Sequence, residues 1–272
     1  MIKLFLSILA VPILVLILHI SVLADTRPQF KLASDLEWKP LNPARGDKSP
    51  MAATLWGDRH GAVATGFLVK FVDGFSSPPH IHNVSYRGLV IEGHIHNDDP
   101  SASKMWMPRG SFWTQPAGEI HITAAKGDYN LAYIEIDNGP YLVWPTDDSF
   151  DNGERPVNVD ESNIVWIKQD KTLGSDDIEL AYLWGTPRNN QSYGALINIP
   201  VGLTIDINND GTMFHAVVID GRIDYQISKD STQEMMPGSY FSNIKGSSST
   251  IYANEDSVIY VRANGMFNIT QE

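Results

Sequence analysis

Short apolar stretches alternating with period two run through most of the chain, and turn residues separate them. Ala64-Thr65-Gly66-Phe67-Leu68-Val69-Lys70-Phe71 reads as a strand. Tyr86 to Glu92 reads as a second strand closed by a Glu92-Gly93 turn, with His94-Ile95-His96 starting the return. Leu131 to Ile136 and Ser257 to Arg262 alternate in the same way. Outside the first 24 residues, no long stretch repeats apolar residues at helical spacing. Strands broken by Gly and Pro turns predict an all-β sandwich or barrel.

The pattern occurs twice. Trp38 and Trp166 are 128 residues apart, as are Leu55-Trp56-Gly57 and Leu183-Trp184-Gly185. Val90-Ile91-Glu92-Gly93 recurs as Val218-Ile219-Asp220-Gly221, and Gly110-Ser111-Phe112 as Gly238-Ser239-Tyr240. One offset, 128, is expected to hold without a gap from Trp38 to about Asp137. The reading is two copies of one domain, 25–150 and 151–272, joined by the polar, acidic segment 146–156.

Residues 1–24 stand apart from both copies. Lys3 precedes an apolar run from Leu4 to Ile20, and Val22 and Ala24 occupy the −3 and −1 positions before Asp25. This is the order of an export signal. It implies a periplasmic or secreted protein, with no stable membrane association once the signal is removed. The net charge of −12 argues against a nucleic-acid partner. With no cysteine, disulfides, thiolate metal sites and thiol nucleophiles are excluded. Any metal must sit on imidazole or oxygen ligands.

The chain has eight histidines. His80-Ile81-His82 places two imidazoles on one side of a strand. His121 follows on another segment, inside Gln115-Pro116-Ala117-Gly118-Glu119-Ile120-His121. His60 and His215 read as surface or rim residues. His94 and His96 read as solvent-facing, flanking an inward Ile95.

The run from Gly74 through His80-x-His82 and Tyr86 to Gly93 resembles the first cupin motif. The run from Gly110 through Pro116-x-Gly118 to His121 resembles the second. With the duplication, the chain is similar to a bicupin of the ChrR-like kind. The resemblance implies two tandem double-stranded β-helix jelly rolls (the RmlC-like fold) with a metal inside the barrel. Two positions depart from the family pattern: Tyr86 stands where Glu is usual, and Ala125 where Asn is usual. The resemblance then points to three-His cupins, which include cysteine dioxygenase and acetylacetone-cleaving dioxygenase. It implies His80, His82 and His121 as ligands of a divalent ion, Fe(II) or Zn.

At the same offset the second copy carries Asn208, Asp210 and Ser249, so the trio vanishes as a set. Three neutral imidazoles leave the ion its full charge and open positions, which favours a small anionic or chelating organic ligand. Tyr86 and Gln115 are the candidate catalytic residues beside it. The leading expectation is a metal-dependent enzyme, dioxygenase-like, with a small-molecule substrate. A non-catalytic binding or sensory module is the alternative, and a sugar-modifying cupin a weaker third. The second copy is expected to bury a face of the first or to form the edge of a homodimer.

Overall fold

Strand Thr65–Phe71 is buried on both faces, and this sets the architecture. Phe67 and Val69 point into the core of the N-terminal half, while Leu68 points the other way into a second cluster. In strand Gln191–Ile199, Ala195 and Ile197 fill the core of the C-terminal half while Leu196 joins that same second cluster. Period-two side chains on doubly covered sheets therefore build three apolar layers: one inside each barrel and one between them. The computed structural model describes residues 29–168, 177–188 and 190–271, so the segment read as an export signal lies outside it.

Two seven-stranded sheets face each other across the middle layer. One is ordered Val157–Val159, Phe112–Gln115, Tyr86–Asp98, Ile122–Ile136, Thr65–Phe71, Met51–Trp56 and Lys39–Pro40. The other is ordered Phe30–Lys31, Tyr240–Asn243, Phe214–Asp220, Ser257–Ala263, Gln191–Ile199, Glu179–Arg188 and Ile167–Lys168. All pairs are antiparallel. Each barrel closes on its far side with further strands. In the C-terminal barrel these form a five-stranded sheet, Ser231–Met235, Ile223–Ser228, Ser248–Ala253, Thr204–Asn209 and Phe267–Gln271. In the N-terminal barrel the far side includes a two-stranded piece, Ile81–His82 with Val143–Trp144. The fold is all-β, two cupin jelly rolls in tandem.

The edge strands cross between the barrels. Phe30–Lys31, from the N-terminal arm, pairs with the C-terminal barrel, Lys31 opposite Tyr240. Val157–Val159 pairs with the N-terminal barrel, Val159 opposite Phe112. The segment expected to be a linker is packed rather than free: Phe150 N–H donates to the Gly118 carbonyl at 3.1 Å, and Asn152 donates to Ser85 at 3.1 Å.

Aromatic and ionic groups lock the middle layer. Trp56 Nε1 donates to the Tyr133 hydroxyl at 3.1 Å, and Trp184 Nε1 to that of Tyr260 at 2.8 Å. Gly66 and Gly194 carry no Cβ where these indoles lie. Both tyrosines donate to Glu135, at 3.1 and 2.9 Å, and Arg262 lies 3.2 Å from the same carboxylate. Both charges are buried, 0% and 4% exposed.

Three expectations need correction. Gly93 does not reverse the chain. Its φ of +76° bends a single strand, Tyr86–Asp98, which stays paired with Ile122–Ile136 through two register shifts. A positive-φ glycine here makes a bulge that curves the barrel wall. The offset is not constant either: Gly66 opposes Glu135 and Gly194 opposes Arg262, so the last strands lie 127 apart. His215 is not a rim residue; its ring stacks on Trp56 at 4.1 Å between the barrels and bonds Tyr240 at 2.8 Å. Burial, then the nearby Arg262 charge, lowers its pKa to about 3.

Candidate metal centre

His80 and His121 exchange both backbone hydrogen bonds, at 3.1 and 3.0 Å, so their chains run side by side. His82 lies two residues further along and faces the same interior. The nitrogens of His80, His82 and His121 that could ligate all lie within 4.8 Å of one another. His82 and His121 are 3% and 1% exposed, and His80 sits at the rim, half-buried.

Every ring has one nitrogen already fixed by the backbone. His80 Nδ1 bonds the Pro78 carbonyl at 2.9 Å, His82 Nδ1 that of Leu142 at 2.9 Å, and His121 Nδ1 that of Glu119 at 3.1 Å. A carbonyl only accepts, so each Nδ1 carries the proton and each Nε2 presents a lone pair. Burial, followed by the other imidazoles, lowers the pKa of His82 far below its ordinary value and that of His121 to about 3. His80 is lowered by burial, with Arg45 adding to the effect. Three neutral imidazoles of one tautomer fit a divalent ion bound through Nε2.

Tyr86 stands beside the trio, buried, its hydroxyl 3.5 Å from His121 Nε2. That hydroxyl donates to Asn97 Oδ1 at 2.8 Å, and Thr123 donates to the same oxygen at 2.8 Å. Asn97 Nδ2 in turn donates to Gln115 Oε1 at 2.8 Å. Gln115 is buried behind this chain rather than on the cavity wall. Its amide donates to the Glu119 carbonyl at 3.2 Å, the same oxygen that holds His121 Nδ1. Gln115 is thus placed to orient Tyr86 and His121 together. Burial pushes the Tyr86 phenol above its ordinary range, so it stays a neutral hydroxyl at physiological pH.

A second tyrosine gave no signal in the sequence. Tyr141 stacks on His82 with ring centroids 4.4 Å apart, its hydroxyl 3.2 Å from His82 Nε2. Asn83 clamps its segment, donating to the Pro140 carbonyl at 2.9 Å and accepting from Leu142 N–H at 2.8 Å. This same clamp fixes the Leu142 carbonyl that holds His82 Nδ1. Trp113 is 1% exposed and lines the cavity. Its indole N–H lies beside the Tyr86 oxygen without the alignment of a hydrogen bond, and has no other acceptor among the described residues.

The cavity above the trio measures about 450 Å³. Val69, Phe71, Phe75, Ile134 and Leu142 give it apolar walls, while Asn42, Arg45 and His60 reach its mouth. His60 is exposed, as expected. His94 is exposed too, but His96 is 1% exposed, against expectation. The segment after Asp98 folds back so that Met107 pairs with Ile95 and Trp106 stands 6.1 Å from the His96 ring, covering the outer face.

A profile of the family described as a domain of unknown function, DUF4437, matches residues 29–270. The chain belongs to the DUF4437 family. No curated protein matches this DUF4437 sequence. Among solved structures, a candidate dioxygenase of Nostoc punctiforme superposes with a TM-score of 0.68 at 14% identity, covering 92% of this chain and 88% of its own. Salicylate 1,2-dioxygenase of Pseudoaminobacter salicylatoxidans, solved with gentisate, gives 0.58 at 13%, covering 93% and 88%. Oxalate decarboxylase of Lactobacillus farciminis, solved with formate, gives 0.56 at 8%, covering 89% and 88%. At such identities these likenesses establish the cupin fold of the DUF4437 chain and nothing finer.

Proposed function

We propose that this DUF4437 protein is an exported bicupin that binds a divalent metal, Fe(II) or Zn, on His80, His82 and His121. We read it as an enzyme, dioxygenase-like, acting on a small anionic or chelating organic molecule. One observation carries the reading: three imidazoles, two buried and one at the rim, converge through Nε2 while backbone carbonyls hold every Nδ1. Structural Zn sites are closed by a fourth protein ligand. Here the three His, with no carboxylate in the group, leave positions open to a ligand. The pattern of residues 1–24 supports export.

When bound, such an ion supplies Lewis-acid polarisation of a ligand oxygen and, if it is iron, access to redox chemistry. The protein's own groups do the rest. The carbonyls of Pro78, Leu142 and Glu119 fix the tautomers and aim the lone pairs. The Tyr86 hydroxyl donates to Asn97 Oδ1, which fixes its orientation beside His121, and the Trp113 N–H lies against the same phenol oxygen. Apolar walls exclude water and strengthen each of these contacts.

Elemental analysis of the purified protein tests the reading. Wild type is expected to carry close to one equivalent of metal, and His82→Ala less than a tenth of that. Equal, trace metal in both would sink the proposal. Oxygen uptake by the Fe(II) form with diketones, thiols and carboxylates then separates an enzyme from a binding module.

A further inference from the structure

We infer that the ligand of this cavity is an organic anion with an apolar or aromatic body. Its charged group is held by Arg45, and a separate oxygen donor faces the three histidines. The inference deepens the metal-site reading above and rests on it.

Arg45 belongs to neither cupin motif. It sits on the 3-10 segment Pro43–Lys48, which connects strands Lys39–Pro40 and Met51–Trp56. That segment is pinned at both ends. Asn42 Oδ1 accepts from Ala44 N–H at 3.1 Å, Asn42 N–H donates to Ser49 Oγ at 3.0 Å, and Leu41 N–H donates to the Pro50 carbonyl at 2.8 Å. The Arg45 guanidinium is thereby held over the Phe75 ring, 5.0 Å from its centroid, on the wall of the metal cavity.

Arg45 is the one described arginine on the wall of the metal cavity; away from it Arg59 bonds Thr54 Oγ1 and Arg188 is exposed. Arg87, Arg109, Arg155, Arg222 and Arg262 all pair with carboxylates. Arg45 has no such partner among the described residues, although acids outnumber bases 32 to 20 in this chain. It makes one hydrogen bond, to the Ser76 carbonyl at 3.3 Å, so most of its five N–H donors remain free. A planar guanidinium backed by an aromatic ring and opening onto an apolar cavity matches a carboxylate in shape and charge. An ion ligated by three neutral imidazoles adds a second positive pole deeper in. Val69, Phe71, Ile134 and Leu142 line the same cavity and favour a hydrocarbon body.

Cobalt(II) replaces the native metal in the test, because its visible spectrum reports ligand binding without turnover. The full-length mature protein is loaded, and cobalt stoichiometry is measured first, with His82→Ala as the control. Catechol and 3,4-dihydroxybenzoate are then titrated: they share one chelating head and differ by one carboxylate. Wild type is expected to bind the carboxylate at least tenfold more tightly. Arg45→Gln is expected to retain its cobalt and lose that preference, and Arg45→Lys to keep part of it. Normal cobalt binding with no preference in wild type, or with neither catechol bound, overturns the inference and leaves the metal site standing. So does a preference that survives Arg45→Gln. Absence of cobalt from wild type overturns the metal reading and this inference with it.

Discussion

The two barrels share strands, turns and interface, yet one has an open interior and the other a filled one. In the N-terminal barrel the far wall includes the short Ile81–His82 and Val143–Trp144 pair, with single bridges at Ser76–Ala124 and His80–His121. In the C-terminal barrel the same positions form continuous strands, Thr204–Asn209 between Ser248–Ala253 and Phe267–Gln271. Ile205, Ile207, Phe214 and Ile251 fill its interior, all at most 1% exposed. Phe214 takes the place of Tyr86. Asp210 is exposed, and Ser249 is buried without a hydrogen-bond partner among the described residues. A complete wall with an aliphatic core gives stability, whereas an interrupted wall makes room for imidazoles, a tyrosine pair and a cavity. The comparison shows how two copies of one fold can differ, one keeping a continuous wall and the other opening it around three histidines.

The division reaches the interface, where equivalent positions carry opposite charges: Glu135 in one barrel, Arg262 in the other. Removing one partner strands a buried ion. Glu135→Ala is expected to lower stability by about 3–5 kcal/mol, read from urea unfolding at pH 7. A loss under about 1 kcal/mol would mean that the charges contribute little to holding the barrels together.

His215 and Arg87 mark a second asymmetry, His215 stacked on Trp56 and Arg87 lying 3.7 Å over Trp184. The folded pKa of His215 lies below the unfolded value of 6.5. Between those values the unfolded chain binds the extra proton, so stability falls as pH drops below about 6.5. From pH 7 to pH 5 this one group is expected to account for at most about 2 kcal/mol. Unfolding of His215→Gln at both pH values should show a flatter dependence than wild type; identical slopes would count against it.

The smallest effect belongs to the filled barrel. Ser249→Ala removes a buried hydroxyl that has no partner among the described residues and is expected to be neutral or to stabilise by up to about 1 kcal/mol. A clear loss of stability there would reveal a polar role in the second barrel.

Much of this was legible in the residues. Motif spacing singled out His80, His82 and His121, which the structure brings together, and the repeat indicated two copies of one β domain while leaving open whether the second would cover the first or edge a homodimer. What escaped has physical reasons. Alternation placed His96 on an outer face but carries no word of the following segment that folds back to cover it. Gly93 fits a turn and a bulge equally, since both need positive φ. Tyr141 and Arg45 stand outside any fixed spacing; only the folded chain carries them to the cavity, and only there does Asn83 meet the segment it clamps.

The exchanged edge strands have a further consequence. Each barrel borrows its outermost strand from sequence that precedes the other, Phe30–Lys31 for one and Val157–Val159 for the other. A single repeat expressed with its own arm would therefore lack the complement its sheet expects. It would find one only by trading arms with another molecule, so the tandem chain embodies, in one polypeptide, the handshake of a two-fold dimer.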